Sequence, residues 1–531
     1  MKNLVFEELT IEQKLGLMMC ERHAHQSEAE VERTIERVKN HAVACIQLPI
    51  NSWGSDIIRR IKEVADYPIL FINDMEQGYP DCDVPAIPAI TLAAAKNKKY
   101  LRAFAKSIVY HAKKAGFNGT WGPVVDLLNG NGPCSVSRKF GDSPEKVLFV
   151  TEEIAGVFKE YGFMSTGKHY PSGGNRVDNS YFGYDSHMTS TFASCTEEEV
   201  INRGLQCYLG LMKQGLLPTI MTSHSLYKNI DPEHPVTLSK KMHDLIRDRG
   251  FDGVFFTDSL AMMGILQKYG EEGAYGLCVS AGNDIILPNY RTDSDECLAM
   301  IKRQYEAGAF TDEDVDKAVT RILHLLQFIG DTADLIPEFT DEDRECIDAI
   351  ARDAVTAICD EGVEASLGDP DKRRLFVVLT PNGFKADAPA MEITEREWYS
   401  AKAVEAKILK EFKNSEVVFV PEFATAWENE QVLLAANRHD EIVVVTYCDT
   451  ACYLGTDGLT QRTEVLIDCL TFSDKVSAIL HFGNPFALLN IRHIKRKLFG
   501  YNSPASMPYA FDILAGKIPA KGELPFSIVY K

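Results

Sequence analysis

The sequence lacks long hydrophobic runs and carries little positive charge relative to its negative charge. No apolar run reaches the roughly 18 residues of a membrane-spanning helix, which argues against a membrane protein. The amino terminus, MKNLVFEE, has no apolar core of the kind found in secretory signals, so we expect a cytoplasmic location. Lys and Arg number 56 against 76 Asp and Glu, giving a net charge of −20. Such a surface favours neither nucleic acid nor an anionic membrane as a partner.

Paired-cysteine motifs are missing as well. The 13 cysteines are scattered, with no CxxC pair and no spacing typical of a zinc site. We therefore expect free thiols in a reducing compartment. The sequence implies neither a metal nor an organic cofactor.

The chain has 531 residues, enough for two domains, and its first part alternates between strand and helix patterns. Seven short apolar segments read as strands: Val43–Leu48, Tyr67–Ile72, Phe117–Val125, Phe163–Gly167, Leu217–Thr222, Gly253–Thr257 and Asp284–Leu287. This alternation predicts a (β/α)8-like barrel, and an open doubly wound sheet is the alternative that periodicity leaves open.

A change in composition after the barrel pattern predicts a second domain. We expect the barrel to occupy residues 1–335 and a connecting segment to occupy 336–373. Residues 374–531 then form a smaller α/β sandwich domain with a mainly parallel sheet, because strand patterns recur there. These patterns are Leu375–Leu379, Val417–Val420, Glu441–Tyr447, Val476–His481 and a short one at Phe499–Asn502.

Polar groups follow four of the predicted barrel strands at the point where each strand ends. They are Asp74, Asp126, the pair Lys168–His169 and Asp258. Barrel enzymes collect their catalytic groups at the carboxyl ends of the strands, so this pattern indicates an enzyme. For Asp258 alone, capping of the next helix is an alternative interpretation.

Several segments occur in an order that is similar to a known family. The segments are Asp74-Met-Glu-Gln-Gly78, Gly122-Pro-Val-Val-Asp126, Ser137-Arg-Lys-Phe-Gly-Asp-Ser-Pro144, Gly167-Lys-His-Tyr-Pro171, Ile220-Met-Thr-Ser-His224, Pro235-Val-Thr-Leu-Ser239, Gly250-Phe-Asp-Gly-Val-Phe-Phe-Thr-Asp258, and Asp512-Ile-Leu-Ala-Gly-Lys517 with Gly522-Glu-Leu-Pro525. Together they resemble glycoside hydrolase family 3 over nearly the whole chain. The resemblance implies that Asp258 is the nucleophile that attacks the anomeric carbon of a sugar.

The segment Asp185-Ser-His187 resembles a dyad found in the β-N-acetylglucosaminidases of that family. There the histidine is the general acid/base and the aspartate orients it. An Asp two positions before a His can bond one imidazole nitrogen and turn the other toward the glycosidic oxygen. With an unperturbed pKa near 6.5, histidine suits proton transfer near neutral pH.

The resemblance implies a retaining β-glycosidase, most simply an exo-acting β-N-acetylglucosaminidase that works by double displacement. Asp74, Arg138, Lys168 and His169 are expected to bind sugar hydroxyls, with Asp126 and His224 as further members of the pocket. The expected partner is an oligosaccharide or muropeptide that contains N-acetylglucosamine, and the sequence does not give an oligomeric state.

Three alternatives remain open on the sequence alone. One is a β-glucosidase or β-xylosidase whose acid/base comes from the second domain. Another is a glycoside phosphorylase, because a neutral histidine repels phosphate less than a carboxylate does. The third is a non-catalytic sugar-binding protein. The loop before the dyad, 172–184, is longer than in the family and contains aromatic residues that are candidates for stacking on a sugar.

Overall fold

A computed structural model of the chain describes residues 2–23, 26–128, 136–172, 185–369, 371–380, 401–422, 424–448, 458–501 and 503–528. It divides into two compact units. The first contains Met1–Ala86, Leu101–Asn129 and Lys139–Arg344, and the second contains Ile87–Tyr100, Gly130–Arg138 and Glu345–Lys531. The domain limits expected from the sequence, near 335 and 374, stay a prediction.

The first unit is built on a parallel sheet of seven strands in the order β1-β2-β3-β4-β5-β7-β9. Two further strands, β6 and β8, pair with each other in parallel. The strands are β1 Cys20–Arg22, β2 Cys45–Gln47, β3 Leu70–Asn73, β4 Gly119–Thr120, β5 Met164–Tyr170, β6 Thr191–Ala193, β7 Thr219–Thr222, β8 Ser225–Tyr227 and β9 Val254–Thr257.

Residues 285 and 286 close the sheet into a ring. Ile285 bridges Phe256 of β9 in parallel, and Ile286 bridges Met19, which directly precedes β1. The predicted strand at Asp284–Leu287 therefore holds the eighth position, although its pairing is limited to these bridges. The fold is thus the predicted (β/α)8-like barrel, and the alternative of an open sheet is wrong.

The predicted strand Phe117–Val125 is much shorter in the structure, which assigns only Gly119–Thr120 to it. The regular ladder ends at Thr120, but backbone contact with β5 continues, because the amides of Thr166 and Lys168 donate to the carbonyl oxygens of Gly122 and Pro123. One further bridge, between Val124 and Lys168, keeps the chain next to β5 as far as Asp126.

Helices connect the strands, and several begin at the expected signals. Ser143 accepts a hydrogen bond from the Lys146 amide with Pro144 as the first helical residue, and Thr196 forms a capping box with Glu199. The helices are α1 Ile11–Leu17, α2 Glu28–Lys39, α3 Ser52–Val64, α4 Ala89–Ala95, α5 Lys98–Ala115, α6 Pro144–Glu160, α7 Glu197–Asn202, α8 Gly204–Lys213, α9 Lys240–Arg247, α10 Met263–Tyr269, α11 Glu271–Ala281, α12 Ser294–Glu306, α13 Asp312–Asp331 and α14 Asp341–Asp353. Of these, α4 and the part of α14 from Glu345 onward belong to the second unit.

The second unit contains a six-stranded sheet in the order β10-β15-β14-β13-β11-β12, in which only the pair β10–β15 is antiparallel. Its strands are β10 Thr356–Cys359, β11 Arg374–Thr380, β12 Ser415–Pro421, β13 Ile442–Cys448, β14 Val476–Gly483 and β15 Arg496–Phe499. Its further helices are α15 Ala401–Glu411, α16 Ala426–Asn437, α17 Gln461–Thr471 and α18 Met507–Leu514. The mainly parallel α/β sandwich is therefore confirmed.

The central strands of this second sheet, β11, β13 and β14, are mostly apolar and mostly buried. All seven residues of β13 are buried, and α15 and α18 contribute Ile408 and Phe511 to the same core. Strands covered on both faces require such continuous apolar runs, which is why they stand out in the sequence. No helix in the described ranges is long and apolar enough to cross a membrane.

Candidate active site

Asp258 follows β9 directly, and its backbone fixes it to the barrel. Its amide donates to the carbonyl oxygen of Thr222, the last residue of β7, and its Oδ1 accepts from the Ser259 amide at 2.7 Å. The next helix, α10, has Met262 at its N-cap position. Asp258 therefore does not cap that helix, and its carboxylate is left for another role.

The charge state of Asp258 is set by opposing effects. Burial raises the pKa of its carboxyl, but the neighbouring His169 ring and the Ser259 amide are among the groups that lower it below its ordinary value. The carboxylate is therefore ionised near neutral pH, as an attacking nucleophile must be.

His169 joins two strand ends. Its backbone amide donates to Asp126 Oδ1 at 3.0 Å, its Nδ1 lies 2.8 Å from Asp126 Oδ2, and its Nε2 lies 3.9 Å from Asp258 Oδ2. A carboxylate accepts only, so Nδ1 carries a proton toward Asp126. The ring is therefore held by Asp126 with its other nitrogen directed toward Asp258.

Lys168, at the end of β5, is almost fully buried and pairs with two carboxylates. Its Nζ lies 2.5 Å from Asp74 Oδ1 and 2.5 Å from Glu76 Oε1. A buried ammonium needs such partners because its desolvation is costly. The pair anchors the segment after β3 to the end of β5.

Asp185 and His187 form the predicted dyad. His187 Nδ1 lies 2.7 Å from Asp185 Oδ1, and the same oxygen accepts from the His187 amide at 3.0 Å. Asp185 is buried, so the imidazole is fixed by a shielded carboxylate and its Nε2 points away from that carboxylate.

The dyad segment is attached to the start of α10, a few residues after Asp258. The amides of Met263 and Gly264 donate to the carbonyl oxygens of His187 and Ser186 at 3.3 and 3.1 Å. The Ser190 hydroxyl bonds the Gly264 carbonyl oxygen. The dyad and Asp258 are therefore held by one continuous stretch of backbone.

His224 is almost fully buried near Asp258, and both of its ring nitrogens are engaged. Its Nε2 lies 3.0 Å from the Ser259 carbonyl oxygen and its Nδ1 lies 2.8 Å from Thr237 Oγ1. Burial lowers the pKa of His224 in spite of the nearby Asp258 carboxylate, so the ring is neutral at pH 7. Its direct role in sugar binding stays a prediction, and its contacts favour positioning of Ser259.

Arg138 is the last residue of a short 3-10 helix, Val136–Arg138, in the second compact unit. Its predicted part in the sugar pocket stays a prediction. The aromatic residues of the loop before the dyad, Tyr181, Phe182 and Tyr184, lie outside the described residues.

Two residues of this region were not predicted from the sequence. Glu76 shares Lys168 with Asp74, and Arg22 lies at the end of β1, where its Nη1 donates to Ser259 Oγ at 3.1 Å. The strand of Arg22 has only three residues, two of them charged, so it shows no strand pattern. The sequence signal that could have indicated this strand is the apolar run Leu17–Cys20, which leads into it.

One group of potential metal ligands is present in the described ranges, formed by Cys82, Asp83 and His111 within 4.8 Å of one another. Arg344 already pairs with Asp83 at 2.6 Å, so a cation there would compete with the guanidinium. None of the three belongs to the predicted site residues, and we assign them no catalytic role.

Comparison with known proteins agrees with the (β/α)8-like barrel. The family pattern described as "Glycosyl hydrolase family 3 N terminal domain" matches residues 10–325, more than half of the chain. The protein belongs to glycosyl hydrolase family 3.

Relatives within the family are distant in sequence. A β-N-acetylglucosaminidase/β-glucosidase of Cellulomonas fimi is 25% identical over 341 residues, covering 61% of this chain and 58% of the relative. A β-hexosaminidase of Actinobacillus pleuropneumoniae is 26% identical over 221 residues, covering 39% of this chain and 61% of the relative. The chain thus spans about three fifths of the length of these relatives.

Solved structures share the fold over almost the whole chain. A family 3 β-N-acetylglucosaminidase from Paenibacillus sp. has a TM-score of 0.80 at 22% identity and covers 98% of this chain and 100% of its own. The β-glucoside phosphorylase BglX has a TM-score of 0.78 at 19% identity, covering 98% of this chain and 95% of its own. At these identities the likeness shows the fold alone.

The attachment of the dyad segment to α10 can be tested by adding a side-chain atom where the two segments meet. A Cβ added at Gly264 would lie 2.9 Å from the Thr189 carbonyl oxygen and 3.0 Å from that of Ser186. Gly264→Ala should therefore displace the acid/base candidate His187 and lower kcat for a glycoside with a poor leaving group about tenfold to a hundredfold, because small misplacements of catalytic groups are costly. Steady-state kinetics would measure the loss.

Gly273→Ala is the matched control, since a Cβ at that position of α11 meets nothing within 4 Å. It should leave kcat unchanged and be neutral or slightly stabilising. Equal activity of the two variants would contradict the proposed role of the contact between the dyad segment and α10.

Proposed function

We propose that this protein is a retaining β-glycosidase, and specifically an exo-acting β-N-acetylglucosaminidase. The observation that carries the proposal is the geometry around Asp258: an ionised carboxylate at a strand end, with an Asp–His dyad attached to the backbone that follows it. A nucleophile and an acid/base fixed on one segment are the two groups that double displacement requires.

In the proposed mechanism, Asp258 attacks the anomeric carbon and forms a covalent glycosyl-enzyme. His187, oriented by Asp185, protonates the leaving oxygen and then takes a proton from the incoming water. Asp74, Lys168 and His169 bind sugar hydroxyls, and Asp126 fixes the His169 ring. Arg138 and His224 are assigned to the pocket on the family resemblance.

The substrate class follows from the dyad. Its Asp-x-His spacing resembles the β-N-acetylglucosaminidases of the family, and two relatives carry the names β-N-acetylglucosaminidase and β-hexosaminidase. The substrate would be an oligosaccharide or muropeptide with a terminal β-linked N-acetylglucosamine. A cytoplasmic location is part of the proposal, because every cysteine in the described ranges is a free thiol.

A second candidate is phosphorolysis at the same site, in which phosphate replaces water and the product is a sugar 1-phosphate. The dyad histidine supports it because a neutral imidazole repels an incoming phosphate dianion less than a carboxylate would. One of the proteins that share this fold, BglX, is a β-glucoside phosphorylase.

The nucleophile is tested by trapping. Incubation with a 2-fluoro glycoside bearing a good leaving group should add one sugar to the peptide that holds Asp258, because fluorine slows release of the covalent intermediate. Mass spectrometry of a digest identifies the site. Asp258→Asn should lose labelling and turnover, whereas Asp252→Asn, an exposed change in the same segment, should keep both. A label on any other residue would refute the assignment.

The reaction and substrate are tested by a screen of nitrophenyl glycosides with and without phosphate. We expect kcat/KM to be higher for the N-acetyl-β-glucosaminide than for the β-glucoside or β-xyloside. Hydrolysis requires free sugar as the product at all phosphate concentrations. Accumulation of sugar 1-phosphate would favour the second candidate, and preference for the glucoside would overturn the substrate class.

The dyad is tested by its dependence on the leaving group. His187→Ala should slow glycosides with poor leaving groups by about 10²–10⁴-fold and activated aryl glycosides far less, because only the former need protonation. Asp185→Asn should show a weaker form of the same pattern. His493→Ala, which breaks an exposed His–Asp pair in the second unit, is the control and should change neither rate. Equal slowing of both substrates by His187→Ala would place the acid/base elsewhere.

A further inference from the structure

Arg22 lies beside the candidate nucleophile, and its guanidinium is only partly satisfied. Its Nη1 donates to Ser259 Oγ at 3.1 Å and to the Pro288 carbonyl oxygen at 2.9 Å. In the ranges the structure describes, its Nε and Nη2 have no hydrogen-bond partner, and neither is a fully buried atom. A guanidinium has five N–H donors and no acceptor, so these remaining donors are available to an oxygen of a ligand.

The position of Arg22 is well fixed. Two hydrogen bonds hold Nη1, and the guanidinium carbon lies 5.2 Å from the centre of the Tyr290 ring. Burial lowers the pKa of Arg22, while the carboxylates of Asp74 and Asp258 act in the opposite direction. Arg22 is therefore a fixed cation in the field of the two carboxylates that the proposed mechanism assigns to the sugar.

The other polar groups of this region are mostly acceptors or are already engaged. Four carboxylates accept hydrogen bonds only: Asp74, Glu76, Asp126 and Asp258. Lys168 already forms ion pairs with Asp74 and Glu76. Sugar hydroxyls can donate to these carboxylates. A carbonyl oxygen only accepts, so it needs a donor, and Arg22 supplies one next to Asp258.

We propose that Arg22 determines specificity by donating from Nε and Nη2 to the carbonyl oxygen of a 2-acetamido group on the sugar that Asp258 attacks. This inference rests on the proposed function. Asp258 attacks C1, and Arg22 is anchored on the next residue, Ser259. C2 is the neighbour of C1, so its substituent falls within reach of a group anchored there.

The charge of the pocket favours a neutral carbonyl over a carboxylate on the sugar. Four carboxylates lie in this region: Asp74 and Glu76 pair with Lys168, Asp126 pairs with His169, and Asp74 and Asp258 act electrostatically on Arg22. A uronic acid would add a further negative charge to this set and be repelled. An amide oxygen gains the hydrogen bonds without that repulsion.

The test compares kcat/KM of wild type, Arg22→Gln and Arg22→Lys on three nitrophenyl glycosides: the N-acetyl-β-glucosaminide, the β-glucoside and the β-glucuronide. Arg22→Gln should lower the value for the N-acetyl-β-glucosaminide about tenfold to a hundredfold, the worth of hydrogen bonds from a charged donor, and that for the glucoside less than about threefold. Arg22→Lys should recover part of the loss, because it keeps the charge but loses the planar fork.

Arg33→Gln is the control. Arg33 pairs with Asp293 and Asp295 on partly exposed surface, so its loss should leave all three values unchanged. Equal loss on N-acetylglucosaminide and glucoside in Arg22→Gln would mean a structural role and overturn the proposal. A fall in kcat/KM for the glucuronide alone would show that Arg22 binds a sugar carboxylate instead. Unchanged kcat/KM for all three glycosides would also refute the proposal. If Arg22→Gln does not fold, a preference for the N-acetylglucosaminide in Arg22→Lys equal to that of wild type overturns the proposal.

The proposed substrate class and the proposed role of Arg22 can be refuted independently. The ratio of N-acetylglucosaminide to glucoside activity in wild type tests the proposed substrate class. The change of that ratio between wild type and the Arg22 variants tests the role of Arg22. A wild type inactive on the N-acetylglucosaminide would overturn both.

Discussion

Closure of the parallel ring is the constraint on which the rest of the site depends. Ile285 bridges β9 and Ile286 bridges Met19, so the last barrel segment lies between the nucleophile strand and β1. Arg22 and Ser259 are 237 residues apart in sequence, yet they share a hydrogen bond because Arg22 ends β1 and Ser259 follows β9, the strands on either side of this junction. The carboxyl ends of all barrel strands then face one region, which concentrates polar groups that the apolar strands themselves exclude.

Each charged group collected there is stabilised by another, and this pairing fixes the geometry. Lys168 lies between Asp74 and Glu76, and the His169 ring lies between Asp126 and Asp258. Isolated burial of the Lys168 or Asp126 charge would be costly, so the strand ends that carry these paired groups hold one another in place. The low pKa of Asp258 is a product of this arrangement, because its histidine neighbours outweigh the effect of burial.

The dyad uses a different kind of support. Asp185 and His187 lie on a loop, yet backbone hydrogen bonds from Met263 and Gly264 tie that loop to the residues that follow Asp258. Such bonds do not depend on side-chain identity at the anchoring positions, except that Gly264 must lack a Cβ. The acid/base candidate is thereby placed by the same segment that carries the nucleophile candidate, which keeps their separation defined.

The sequence by itself determined the central strands of both units, though not β1, β6, β8 or β10, and the positions of Asp74, Asp126, Lys168–His169 and Asp258, because buried parallel strands are largely apolar runs that end at polar groups. The dyad came from resemblance to a family motif, since two residues on a loop have no periodicity to mark them. Tertiary structure alone decided what depends on contacts between distant segments: the three-residue strand of Arg22, the sharing of Lys168 by Glu76 and the engagement of His224 with Ser259. A short or charged strand is stable only through its neighbours, and a local pattern does not contain those neighbours.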